Sequence, residues 1–222
     1  MPAHNTPASY GFVARILHWL TALLILTAIP LGLYANDLPQ ATDAALAAKS
    51  RAFSVHNTVG IAAFTLALIR IAWALGQPRP APLHPDRRVE TTLAEIAYWT
   101  LYLSLVLVPL TGWITHAAYA DFAPILWPFG QHLPFVPISN AVGAAAGTLH
   151  YVFTKILIAT IILHFAGAMK HAIVDMDATL GRMTSGTPAA PDTPVRRSLA
   201  PAVVALGIYL AGTGVAIALL RS

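Results

Sequence analysis

Five stretches of the chain, over approximately 12–34, 53–75, 93–118, 147–174 and 199–220, are continuously apolar. Each is about as long as a bilayer is thick, since a helix needs about 20 apolar residues to cross the hydrocarbon core. Lipid offers no water to the backbone, so such runs satisfy their N–H and C=O groups as helices. This predicts an all-α membrane protein. Composition agrees: hydrophobic residues make up 57% of the chain and charged residues 10%, against about 25% charge in a soluble domain. The mean hydropathy is +0.66. The first stretch is read as a mature helix, because its apolar run from Ile16 to Tyr34 exceeds the ~7–15 residues of a signal-peptide core.

The connecting segments carry the orientation. Arg15 stands before the first apolar run, Arg79, Arg87 and Arg88 between the second and third, and Arg182, Arg196 and Arg197 between the fourth and fifth. The opposite side has Lys49 and Arg51 in one loop and Arg221 at the chain end. The positive-inside rule then predicts a cytoplasmic N-terminus and, with five spans, a C-terminus on the far side. The net charge of +4 is accounted for by these loops and gives no footprint for nucleic acid. Residues 77–88 are proline-rich and predict a stiff connection. The 119–146 loop sets Phe122, Trp127, Phe129 and Phe135 among prolines, as either an interfacial connector or a lid. Residues 184–198 read as a flexible linker before the fifth helix.

The chain has no cysteine and nine histidines. Disulfides, thiolate-bound iron–sulfur clusters and covalent c-type haem are thereby excluded, and imidazole is left as the available metal ligand. Ionisable groups inside a membrane are costly and mark function. His150 and His164 are 14 residues apart, close to four helical turns, so they share a face about 21 Å apart along the axis. His18 opens the first span from the cytoplasm, and His56 opens the second from outside. Depth therefore pairs His18 with His164 and His56 with His150. Two bis-imidazole sites, one per leaflet, suit two non-covalent b-type haems in a helical bundle. Gly60, one turn after His56, and Ala159, Ala166, Gly167 and Ala168 around His164 leave room for a macrocycle or serve ordinary helix packing. His4, His84 and His132 read as surface residues, and His116 stands near the outer end of the third helix.

Several segments resemble the bacterial cytochrome b561 family of diheme membrane proteins: YGFVARILHWL, SVHNTVG, PLTGWI, WPFGQHLPF and LHYVFTKILIATIILHFAGAMKHAIVDMDATLGRM. The resemblance covers about residues 9–184. It implies the same ligand pairs, His18–His164 and His56–His150, and a bacterial inner-membrane location, so that the far side given to the C-terminus by the loop charges is the periplasm. It also implies electron transfer across or within the membrane, between a periplasmic reductant, superoxide in one branch, and the quinone pool. A histidine placed like His171 lies close to ubiquinone in that branch; otherwise His171 is an interfacial cap of its helix. The chain carries Asn57, Tyr151 and Ala172 where family members often have Lys, Glu and His, all at places where partners would dock.

Arg70, near the inner end of the second span, reads either as a partner of inner-haem propionates or as a snorkelling side chain. Lys155, within the fourth span, reads as snorkelling, lining a polar cavity or meeting a haem propionate, and Asp175 and Asp177 read as a solvated helix exit or as proton-handling groups. The expected organisation is a four-helix diheme unit over 1–183, a proline-rich cytoplasmic linker over 184–198 and a fifth transmembrane helix over 199–222. The expected partners are the lipid bilayer, quinone, and a small periplasmic electron donor or redox partner protein. An electron-relay anchor subunit for a separate dehydrogenase is the first alternative. A haem-free proton or metal transporter is the second, and the sequence lacks the inverted repeats usual for one.

Overall fold

The computed structural model describes residues 2–119, 122–127, 130–189 and 198–222. Its helices are α1 (Phe12–Asp37), α2 (Asp43–Leu75), α3 (Arg88–Ala118), α4 (Asn140–Met169), α5 (Thr179–Thr184) and α6 (Ala200–Arg221). A π-helical turn, Lys170–Asp175, continues α4. Helices α1, α2, α3, α6 and the α4–π segment are long and apolar enough to cross a membrane. Together they make the all-helical membrane fold that the sequence predicts, including the additional C-terminal helix.

The helices outrun the apolar stretches. α2 begins at Asp43 and α4 at Asn140, each several residues before its hydropathic run. The added turns, DAALAAKSRA and NAVGAAA, are rich in alanine, the strongest helix former. Hydropathy measures the lipid-soluble part of a helix, not its length. Lys49, on one of these added turns, donates from Nζ to the carbonyls of Asn36 and Leu38 at 2.9 Å each. It thereby satisfies carbonyls left open at the end of α1.

The chain divides into two compact units, and each long span contributes to both. The first unit comprises Met1–Trp19, Leu68–Ser104 and Lys155–Ala211. Small residues build its interior, with Ala97, Thr100, Ser104 and Ala205 all buried, as close packing of membrane helices requires. Ser104 and Tyr209 are hydrogen-bonded to one another and attach α6 to α3. The short α5 is fastened by three donors: Arg15 Nη1 to the Thr184 carbonyl at 3.1 Å, Trp19 Nε1 to the Met183 carbonyl at 3.1 Å, and Arg182 Nη1 to the Ala81 carbonyl at 2.8 Å. Arg15 and Arg182 are buried. They are internal fasteners, whereas the sequence counts them with the loop charges. Arg196 and Arg197, and most of the 184–198 linker, lie outside the described residues.

The second unit comprises Leu20–Ala67, Leu105–Thr154 and Gly212–Ser222. Its loop after α3 is stapled to the start of α2. Ser54 donates to the Pro124 carbonyl, Asn57 Nδ2 donates to the Ala123 carbonyl at 3.2 Å, and the Leu126 N–H donates to Thr58 Oγ1 at 2.9 Å. Ala123 holds a left-handed backbone, φ 55°. This staple favours a folded cover over a loose connector. Phe129, one of the loop's aromatic residues, lies outside the described residues.

Candidate functional site

In the second unit, α2 carries His56 and α4 carries His150. Their ring centres are 6.2 Å apart, with ring planes at 76°. Each ring is held by its Nδ1: His56 donates to the Ala28 carbonyl at 2.9 Å and His150 to the Val108 carbonyl at 2.8 Å. A helical carbonyl has a second lone pair with which to accept such a bond. The contact fixes the proton on Nδ1 and leaves Nε2 free as a ligand, the usual second-shell device for a metal-binding imidazole.

A glycine permits each of these approaches. A Cβ on Gly32 would lie 2.7 Å from Cε1 of His56, and one on Gly112 would lie 3.0 Å from Nδ1 of His150. Each glycine stands four residues after the carbonyl that its histidine uses, so the ring lies flat on bare backbone and reaches the oxygen. The sequence reading singled out Gly60 and missed these two. Gly60 itself has nothing within 4 Å of its Cβ position. It lines a small open cleft with His56, Pro109, Trp113, His116 and His150. His116 is partly exposed, and its Nδ1 is enclosed without a hydrogen-bond partner.

In the first unit, α1 carries His18 and α4 carries His164. Their ring centres are 6.3 Å apart at 67°. Arg70 of α2 donates from Nη2 to Nδ1 of His18 at 3.1 Å and lies over the Tyr102 ring at 5.5 Å. A guanidinium only donates, so Nδ1 accepts here and the ring proton sits on Nε2. That tautomer is the reverse of the one in the His56–His150 pair.

Both spacings fit a b-type haem. An axial bond of about 2 Å on each side, plus about 1.1 Å from ring nitrogen to ring centre, sets two axial imidazoles about 6 Å apart. The second pair also has the right tautomers and a polar atom in need of a partner. The first pair fits by spacing, and iron binding through Nε2 of His18 requires Arg70 to release Nδ1.

His171 lies beyond both pairs, in the π turn. Its Nδ1 meets Asp177 Oδ2 at 2.7 Å, and its Nε2 meets Glu90 Oε1 at 3.1 Å. His84, from the proline-rich loop, also meets Asp177 Oδ2, at 2.9 Å, so it is no isolated surface residue. Asp175 pairs with Lys170 and Arg87. The two aspartates are therefore largely enclosed by partners, where a solvated helix exit was expected. Burial pushes the Asp177 carboxyl up, but hydrogen bonds from Thr179, His171 and His84 outweigh it and hold the group below the usual carboxylate range. Lys155 is exposed on α4.

A sequence model described as prokaryotic cytochrome b561 matches residues 9–186. The chain is also similar to cytochrome b561 homolog 2 of Escherichia coli (strain K12), at 29% identity over 181 residues, covering 81% of this chain and 93% of that protein.

Proposed function

Because this chain belongs to the prokaryotic cytochrome b561 family, and is therefore a multi-pass membrane protein that binds b-type haem for electron transfer, we propose that it is a diheme cytochrome with axial pairs His18–His164 and His56–His150. The observation that carries this reading is the repeated spacing: two histidine pairs with ring centres 6.3 and 6.2 Å apart, each close to the spacing an axial pair needs. When bound, haem supplies a one-electron centre that cycles between ferrous and ferric iron. The two histidines of each pair would hold the iron from both sides, which would leave no position there for oxygen and confine electron exchange to the edge of the group.

The residues do the positioning. Ala28 and Val108 orient the imidazoles of His56 and His150 through Nδ1, which also makes Nε2 a better ligand. Arg70 would hold a haem propionate in place of His18 Nδ1, and His18 would then carry its proton on Nδ1 and offer Nε2 to the iron. In the proposed orientation the N-terminus is cytoplasmic and the C-terminus periplasmic, so His56 and His150 serve the periplasmic side of the inner membrane. Electrons then run from a small periplasmic reductant or redox protein, superoxide included, to ubiquinone near His171. His171 supports the quinone reading by its place at the cytoplasmic end of α4, among the carboxylates Glu90 and Asp177.

A pyridine haemochrome count on detergent-purified protein tests the reading. Two b haems per chain are expected, with one lost in His164→Ala and the other in His150→Ala, each distinguishable by its redox midpoint. A haem count unchanged in both variants refutes the pairing.

A further inference from the structure

The cluster at the end of α4 has a chemistry of its own, separate from the haem pairs. Three ligand atoms, His84 Nε2, His171 Nδ1 and Asp177 Oδ2, lie within 4.8 Å of one another. One carboxylate oxygen faces both imidazoles, at 2.9 and 2.7 Å, and the two rings are parallel, with planes 3° apart. The groups behind them are already committed. Asp177 Oδ1 accepts the Thr179 N–H at 2.8 Å, which aims Oδ2 at the histidines. His171 Nε2 rests on Glu90 Oε1 at 3.1 Å, and a carboxylate on the far ring nitrogen is the usual support of a metal-binding histidine. The backbone that gathers these groups is irregular. A π turn carries His171, and Met176, just before Asp177, holds a left-handed φ of 50°. π turns inside helices recur at functional sites.

We propose that His84, His171 and Asp177 form a site for a divalent transition metal of the zinc class. Two imidazoles and one carboxylate are a zinc-type donor set, and a water takes the remaining position of a tetrahedral ion. The side chains retain 31%, 18% and 13% exposure for His84, His171 and Asp177, so that position opens to water. Metal–ligand bonds of about 2.0–2.2 Å at tetrahedral angles separate ligand atoms by roughly 3.4 Å. The nitrogens therefore retreat from Oδ2, now 2.9 and 2.7 Å away, by about 0.5–0.7 Å; each ring keeps one proton on its far nitrogen, Nδ1 of His84 and Nε2 of His171, and any proton displaced by the ion passes to water.

Charge selects this trio over its neighbour. Glu90, His171 and Asp175 also converge, but Lys170 lies 2.9 Å from Glu90 and 2.6 Å from Asp175, and Arg87 lies 3.2 Å from Asp175. Two cations already occupy that set. Asp177, by contrast, is met by the two imidazoles and a backbone N–H, with Arg182 acting on it only through its field.

The inference does not rest on the quinone reading, because its readout is stoichiometry and not turnover. Chelator-washed, haem-loaded protein in detergent is titrated with Zn²⁺ and compared with His84→Ala, Asp177→Asn and Glu90→Gln. Wild type is expected to hold one zinc per chain. His84→Ala and Asp177→Asn should weaken binding at least tenfold, and Glu90→Gln about 10–100-fold, the usual range for an outer-shell partner. An unchanged haem spectrum certifies that each variant is folded. Absence of a stoichiometric zinc in wild type, or zinc bound as tightly by His84→Ala, overturns the site.

Discussion

Gly32→Ala isolates the close approach of the His56 imidazole to α1. The added methyl would sit 2.7 Å from Cε1, 3.0 Å from Nδ1 and 3.3 Å from Nε2 of that ring. Carbon atoms in contact lie at about 3.5–4.0 Å, so the ring must withdraw by roughly 0.8 Å or more. The Nδ1 bond to the Ala28 carbonyl, now 2.9 Å, then stretches to about 3.7 Å, beyond a hydrogen bond. The ring also leaves the 6.2 Å spacing to His150, which matches an axial pair. Loss of an outer-shell partner alone costs about 10–100-fold in affinity, and the displaced ligand adds to it. Haem should therefore be lost from the His56–His150 pair and kept by His18–His164. Gly112→Ala is the graded case: its methyl would meet His150 at 3.0 and 3.1 Å, so a shift of a few tenths of an ångström, read as a changed midpoint with haem retained, is expected. Gly60→Ala, with nothing within 4 Å, should leave the His56 imidazole and its Ala28 bond undisturbed. The assay is a haem count with potentiometric difference spectra on all three proteins. Two haems with unaltered midpoints in Gly32→Ala would show that the glycine does not seat the imidazole.

Arg70→Leu should lower the midpoint of the His18–His164 haem and leave the other in place. With Nη2 3.1 Å from His18 Nδ1, the guanidinium charge would lie about 8 Å from an iron held on Nε2, which at an effective dielectric of 20 is worth about 2 kcal/mol, or roughly 90 mV for one electron, and propionate pairing reduces it. Potentiometry that finds both midpoints unmoved refutes a role for the guanidinium at that site. Tyr209→Phe removes the buried bond to Ser104 and should cost about 0.5–1.5 kcal/mol or somewhat more, since Ser104 loses a buried partner. Thermal unfolding in detergent reads this, with both haems retained.

Much of this architecture is legible in the sequence because lipid is an unforgiving solvent. Apolar runs of bilayer length have few alternatives to helices, and each of the five is a helix here. The ligand candidates are legible for a related reason: a histidine at depth stands out against its surroundings, and the 14-residue interval of His150 and His164 needs only helical periodicity. What escapes is whatever depends on contact between distant segments. Gly32 and Gly112 look like ordinary glycines of membrane helices, and only the arrival of an imidazole from another helix gives them work. His84 sits in a proline-rich loop that carries no periodicity, so nothing local announces that it meets Asp177. Arg15 and Arg182 are counted as topogenic charges because composition cannot tell a buried arginine from a solvated one.

The two histidine pairs are built alike in spacing and unlike in electrostatics, and this bears on the direction of electron flow. His56 and His150 each rest on a neutral backbone carbonyl. His18 rests on a guanidinium 3.1 Å away. Ferric haem carries one more positive charge than ferrous haem, so a nearby fixed cation disfavours the oxidised form and raises the midpoint. A carbonyl at the far nitrogen acts the opposite way, since it makes the imidazole a stronger donor and favours ferric iron. With a haem at each pair, as proposed, both effects would place the higher potential at His18–His164. In the proposed diheme reading, electrons that reach His56–His150 would therefore run downhill to the Arg70 site, the direction of the proposed passage from a periplasmic donor toward quinone. A propionate paired with Arg70 would narrow this gap. Among the described residues, neither His56 nor His150 has an arginine or lysine among its hydrogen-bond partners.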